Sequence, residues 1–312
     1  MLDDAVCAGM NAGLEASIET GPLDDLTPFF GTRISGFDVK AIRSSGEVTA
    51  LQRLLAEKQV VVFKDQDLGP DDVLGFTKLF GTPDPHVLSQ FSLPGYRDIY
   101  VLSNIVEDGR HVGNRQEGFG WHTDLSYFAN PAAYTMLYAL EVPAARGETL
   151  FASMQCFYRE MPEDEKAKLR PLTVKWNYER MYSLRTNVPP LTDEQRARTP
   201  EVTQPLVRIH PVSGRESLYT SRDGCAGVHG MPEDEGLTLI RGLVQRIIDS
   251  PFTYAHRWEA RDLVIWDNRG LIHTATDYDM ENDRRLIYRT SVRGERPIGW
   301  SEHVRSAVKE PA

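Results

Sequence analysis

The stretch Gly118–Phe128, GFGWHTDLSYF, sets a histidine and an aspartate two residues apart among Trp121, Tyr127 and Phe128. Aromatic and β-branched neighbours favour strand over helix. Side chains alternate across a strand, so His122 and Asp124 are expected on one face. A surface pair, or one that is simply hydrogen-bonded, has the same His-x-Asp pattern, so the meaning of this one turns on a third group elsewhere in the chain.

His273 is that group. It follows the apolar strand DLVIWDN, in WDNRGLIHTATDY. Two histidines and one carboxylate on one face of an octahedral ion leave three positions open, the facial-triad pattern of non-haem Fe(II) sites. A basic stretch, NDRRLIYRT, comes shortly afterwards. On a strand Arg285 and Arg289 share a face and Arg284 points the other way. Arginine suits bidentate capture of a carboxylate. A solvated strand edge would read the same, but Arg285 stands only 12 residues past His273, which favours a site.

The rest of the chain bounds the answer. Its 312 residues allow one large domain. Lys and Arg number 35 against 45 Asp and Glu, a net charge of −10, which argues against nucleic-acid partners and anionic membrane surfaces. No apolar run approaches the roughly 18 residues needed to span a bilayer. The N-terminus, MLDDAVCAGMNAG, lacks a basic segment, so no signal peptide is expected. Cys7, Cys156 and Cys225 are odd in number and far apart, as expected of thiols in a reducing cytoplasm. A homo-oligomer stays open.

Residues 1–25 read as a loose N-terminal extension and 26–312 as a single domain. Helical spacing is expected over 47–58, over 70–80 and most clearly over 232–250, with another helix near 162–170. Strands are expected in QVVVFKDQ, DIYVLSN, FGWHTDLSYF, AAYTMLYALEV, GETLFASM, FTYAHRW, DLVIWDN and RRLIYRTSVRG, and on both sides of the PVSGR turn. The polar excursion over 160–205 reads as a lid or insertion. The pattern is mainly β with helices packed outside, a sandwich or barrel.

In order along the chain, FFGTRISGFD, QVVVFKDQDLGPDD, FGTPDPH, WHTDLSY, GETLFAS, HPVSGRESLY, DLVIWDNRGLIH and DRRLIYRTSV resemble the taurine dioxygenase/2,4-dichlorophenoxyacetate dioxygenase family of Fe(II)- and 2-oxoglutarate-dependent oxygenases. The resemblance runs from about Phe29 to Pro297. It implies a double-stranded β-helix, or jelly-roll, core. It makes His122, Asp124 and His273 the Fe(II) ligands. Thr149 and Arg285 would hold the distal carboxylate of 2-oxoglutarate. Arg289 would be a second pocket arginine, facing either 2-oxoglutarate or substrate. His86 and Tyr127 would lie at the substrate, and Trp266, Asp267 and Asn268 would support the His273 loop.

The implied reaction consumes O2 and 2-oxoglutarate and yields succinate and CO2. It hydroxylates a small, anionic substrate, with C–S, C–O or C–N cleavage or desaturation as variants. GNRQEGFG and SRDGCAGVHGM depart from the taurine pattern where relatives build the substrate site, so taurine is not the expected substrate. Asp124 disfavours a halogenase, whose halide would need that position. His229 is expected on a surface loop, His210 in an architectural role, and His111, His256 and His303 as structural or exposed. A zinc hydrolase using the same triad, or a non-catalytic jelly-roll binding module, are the alternatives.

Overall fold

The computed structural model describes residues 23–115, 117–185 and 189–303. Its helices start where the local chemistry directs. A capping box opens α1 (Ser45–Lys58): the Glu47 amide donates to Ser44 Oγ at 3.2 Å, and the Ser44 amide donates to the Glu47 carboxylate at 2.8 Å. Pro70 begins α2 (Pro70–Leu79), where its missing N–H costs nothing. Short helices α3 (Met154–Glu160), α4 (Glu163–Leu169), α5 (Tyr178–Ser183) and α6 (Asp193–Arg198) follow, then the longer α7 (Glu233–Ile248).

The strands of the two core sheets are β1 (Leu23–Asp25), β2 (Thr32–Ile34), β3 (Val60–Phe63), β4 (Ser92–Leu93), β5 (Tyr96–Ser103), β6 (Ala132–Glu141), β7 (Thr149–Ser153), β8 (Thr253–His256), β9 (Leu263–Asp267), β10 (Leu271–Ala275) and β11 (Leu286–Arg293). Eight form one sheet, in the order β1-β2-β3-β9-β6-β11-β5-β4, and three form another, β8-β7-β10. Within both sheets only the β2–β3 pairing is parallel.

The period of two divides the larger sheet between two cores. Val61, Phe63, Met136, Tyr138 and Ile265 face outward to Leu51, Leu54 and Leu55 of α1 and to Val73 and Phe76 of α2. Their neighbours Val60, Val62, Leu137, Ala139, Val264 and Trp266 face inward, to Phe151 and Leu271 of the smaller sheet. The smaller sheet's far side, through Ala152 and Ile272, packs on Ile240, Leu243, Val244 and Ile247 of α7. Two sheets enclosing a buried layer, with helices outside, form the expected jelly-roll core.

Three expectations change. Residues 118–128 are not a strand: His122 makes one isolated bridge, to His273, and the chain then turns through Leu125 at φ 50°. Among the described residues no ladder extends the bridge, because the Asp124 amide donates to a side chain, Asn268 Oδ1, instead of to a neighbouring strand. Conversely, His273 lies not in a loop but inside β10, paired with Phe151. Glycine and a turn precede it closely, which hid a five-residue strand in the sequence. Finally, the last residues of the expected N-terminal extension form β1, paired with β2, while residues 1–22 lie outside the described part. The 160–205 excursion carries α4, α5 and α6 with the strands Thr173–Trp176 and Val202–Pro205.

Leu55 is fully buried between α1 and the larger sheet. Leu55→Ala is expected to lower unfolding free energy by about 2–5 kcal/mol. Urea titration should show a lower midpoint at an unchanged slope, with metal affinity intact.

Candidate active site

The backbone pair between His122 and His273 builds the centre. The His122 amide donates to the His273 carbonyl at 3.0 Å, and the His273 amide donates back at 2.8 Å. The two rings are thereby set 4.3 Å apart, centroid to centroid. Next to His122, the Ala275 amide donates to the Gly118 carbonyl at 2.7 Å, extending the docking of this loop on β10. His122 Nδ1 donates to the Gly120 carbonyl at 2.7 Å, which leaves Nε2 with its lone pair toward the centre. Gly120 has φ +84°, and a Cβ there would lie 2.6 Å from Asp223 Oδ2, so the loop needs glycine at this point.

Asp124 completes the triad, with Oδ1 3.7 Å from His122 Nε2 and Oδ2 3.6 Å from His273 Nε2. One ligand atom from each residue falls within 4.8 Å of the others, a spacing that admits a single shared ion. Two imidazoles and a carboxylate are the donor set of a facial Fe(II) site. Asn268 fixes the carboxylate's approach: its Oδ1 accepts from the Asp124 amide at 3.2 Å and from Trp266 Nε1 at 2.9 Å. Asn268 Nδ2 donates to Thr135 Oγ1, which in turn donates to Asp124 Oδ2 at 2.7 Å. Trp266 and Asn268, expected to support the His273 segment, instead bear on Asp124: Asn268 directly, and Trp266 through Asn268. Asp267 instead pairs with His210 and Arg269, so His210 is architectural.

Burial raises the Asp124 carboxyl, but Arg289, His273 and His122 outweigh it and hold Asp124 well below the usual carboxylate range. Burial lowers His273 to about 3, keeping it a neutral donor at physiological pH. The strongest single partner of Asp124 is Arg289, whose Nη2 donates to Oδ1 at 2.7 Å. Arg289 therefore sits on a member of the triad.

Arg285 is different. It is 4% exposed, its Nε has no hydrogen-bond partner, and no carboxylate pairs with it among the described residues. The Tyr278 ring lies 5.7 Å from it, and burial lowers its pKa against the opposing pull of Tyr278. Arg284, as expected, points away and pairs with Glu141 at the surface. Arg285, Arg289 and Thr149 line one narrow cavity together with all three triad residues. Trp258 Nε1 donates to Thr149 Oγ1 at 3.0 Å, leaving the threonine's own proton to donate.

A roomier cavity of about 380 Å³, within the range of small-ligand sites, shares His122 as a wall. Its walls include Phe119, Met181, Leu184, Arg185 and Asp223. Glu117 and Gly118 line both cavities. Four residues here, Glu117, Met181, Arg185 and Asp223, went unnoticed in the sequence. The signals were the 160–205 excursion and the departures GNRQEGFG and SRDGCAGVHGM, in which the charged members could not be matched to partners.

His86 is buried against Tyr100, with ring centroids 4.2 Å apart, and its Nδ1 accepts from the Leu88 amide. Burial lowers it to about 3, so it is neutral rather than a second cation. Tyr127 is buried against Tyr178 and Phe128. His229 and His111 are exposed, and His256 is buried beside Asp262.

Two outcomes are expected. His122→Ala, Asp124→Ala and His273→Ala should each abolish turnover. Asp124→Ala should also cost about 3–5 kcal/mol in urea unfolding, since it strands the buried Arg289 charge; equal stability of all three variants would contradict that pairing. Separately, His86 binds a proton in the unfolded chain near its ordinary 6.5 but in the fold only near 3. Its contribution is therefore full above 6.5 and is lost as pH falls through that window. His86→Asn should flatten the fall of unfolding free energy between pH 6 and 4, by up to about 1.4 kcal/mol per pH unit.

A family model, Taurine catabolism dioxygenase TauD, TfdA family, matches residues 22–291. The alpha-ketoglutarate-dependent 2,4-dichlorophenoxyacetate dioxygenase of Cupriavidus pinatubonensis (strain JMP 134) is 32% identical over 278 residues, 86% of this chain and 96% of that protein. The (S)-phenoxypropionate/alpha-ketoglutarate-dioxygenase of Sphingobium herbicidovorans is 28% identical over 88% of this chain and 96% of its own. The crystal structure of AAD-2 in complex with Mn(II) and N-oxalylglycine superposes with a TM-score of 0.74 at 28% identity, covering 88% of this chain and 98% of that one. With the family match spanning nearly all of the described residues and the triad in place, the chain belongs to the TauD/TfdA family and is an Fe(II)- and 2-oxoglutarate-dependent dioxygenase.

Proposed function

We propose that this dioxygenase oxidises a C–H bond of a small organic monoanion held in the cavity beside His122, with 2-oxoglutarate anchored at the opposite end of the site. The observation that carries the second part is Arg285, a buried guanidinium without a counter-charge among the described residues. Such a charge is costly unless an anion compensates it, and a carboxylate fits its fork bidentately. Thr149 adds a hydroxyl donor on the same wall. His122, Asp124 and His273 hold the iron, which when bound supplies the O2 chemistry. The chain supplies position and dryness: Trp266 and Phe151 pack at 4.7 and 6.0 Å from the His273 ring, centroid to centroid, and keep water from that side.

The relatives support an anionic substrate: those named for phenoxyacetate and phenoxypropionate act on carboxylates, and Arg185 on the wall of the roomier cavity offers a cation for such a group. Resident charge does not decide the matter, since Arg185, Arg285 and Arg289 face Asp124, Glu117 and Asp223. A zinc hydrolase or a non-catalytic jelly roll accounts for neither Arg285 nor the family match.

The partner is a small molecule rather than nucleic acid, given the net charge of −10. Among the described residues no helix is long and apolar enough to cross a membrane. The cytoplasm is the proposed compartment, with Cys156 and Cys225 as buried free thiols.

Arg285→Gln tests the anchor. It should raise the KM for 2-oxoglutarate roughly 30-fold to several thousand-fold, the equivalent of about 2–5 kcal/mol, with succinate formation as readout. An unchanged KM would move the anchor to Arg289.

A further inference from the structure

Resting on the anionic-substrate reading above, we propose that Arg185 is the residue that binds the substrate's acidic group, and that Asp223 restricts that group to a single negative charge. The rival cation, Arg289, lies in the narrow cavity and donates to Asp124 at 2.7 Å. Arg185 is the cation that lines the roomier cavity of about 380 Å³.

Its pairing prepares it for a ligand. Arg185 Nη1 and Nη2 donate to Glu117 Oε2 and Oε1 at 3.1 and 2.9 Å. A guanidinium carries five N–H donors, so three remain after Glu117 takes two. Glu117 has little freedom to shift, since Tyr100 Oη and Asn114 Nδ2 also donate to it, at 3.2 and 2.8 Å. The guanidinium is thus held in place before substrate arrives, and substrate binding does not require the pair to break. Preorganisation of this kind lowers the ordering cost of binding.

The surroundings specify the ligand further. Phe119, Met181 and Leu184 give the cavity an apolar wall for the body of the substrate. Asp223 lines the same cavity and has no cationic partner among the described residues. A carboxylate, sulfonate or sulfate ester brings one negative charge, which Arg185 accommodates. A phosphate monoester brings close to two, and the second meets Asp223.

Calorimetric binding to the full chain loaded with Mn(II) and 2-oxoglutarate tests this. The probes are 2,4-dichlorophenoxyacetate, its primary amide and 2,4-dichlorophenyl phosphate. The wild type should bind the acid more tightly than either of the others. Replacing both partners, Arg185→Gln with Glu117→Gln, removes the pair without stranding a charge. It should weaken acid binding by roughly 30-fold or more while sparing the amide. Asp223→Asn should narrow the gap between phosphate and acid.

If the double variant keeps its preference for acid over amide, the anchor lies elsewhere and only the Arg185 assignment falls. Equal weakening of acid and amide would make Arg185 a wall residue and also overturn it. A wild type that does not favour the acid, including one that binds none of it, defeats the anionic-substrate reading and this assignment with it. An unchanged phosphate gap in Asp223→Asn overturns the role of Asp223.

Discussion

The Arg289 guanidinium lies 2.7 Å from a carboxylate, Asp124, that is only 3% exposed. Taking a carboxylate out of water is costly, and the usual escape is to take up a proton. Here the guanidinium foremost, with the Thr135 hydroxyl, keeps the ionised form favoured. A protonated Asp124 would be a poor metal ligand, so the centre depends on this compensation. Arg289 is in turn permitted in the core by Asp124 and, more distantly, Glu117. Neither charge would be stable there alone.

The remaining charges divide by whether the protein compensates them. Arg185 and Glu117 pair with one another, with Glu117 held near 2: burial raises it, and the groups around it, Arg185 foremost, together more than offset that. Arg285 has no such partner among the described residues. The same residue type therefore has different work at neighbouring positions, and the partner, rather than the arginine, makes the distinction. Under the proposed assignments, Arg285 would hold co-substrate in the narrow cavity and Arg185 would hold substrate in the roomier one.

The reading of residues 118–128 reached the right pairing by a mistaken route. His122 and Asp124 do converge, but not because a strand alternates. The convergence comes from a two-way backbone hydrogen bond with His273, a left-handed turn at Leu125 and the Asn268 side chain. Aromatic and β-branched neighbours raise strand propensity in a loop as readily as in a strand when the loop is buried. The helices had no such competitor. Ser44 with Glu47, Pro70, and the apolar stripe of Leu237, Ile240, Leu243, Val244 and Ile247 specify α1, α2 and α7 through local chemistry alone.

The sequence by itself determined what depends on near neighbours and on residue type. It placed the helices, the long strands, the triad's three members, Arg285 with Thr149 through family resemblance, and the outward direction of Arg284. Only the tertiary structure decided which charges meet. Arg289 and Asp124 are 165 residues apart, and Arg185 and Glu117 are 68 apart, so no local pattern links them. Whether a buried arginine is free for a ligand is set by a partner from another strand or loop, and the packing that brings that partner near also removes the water that would otherwise make the pairing unimportant.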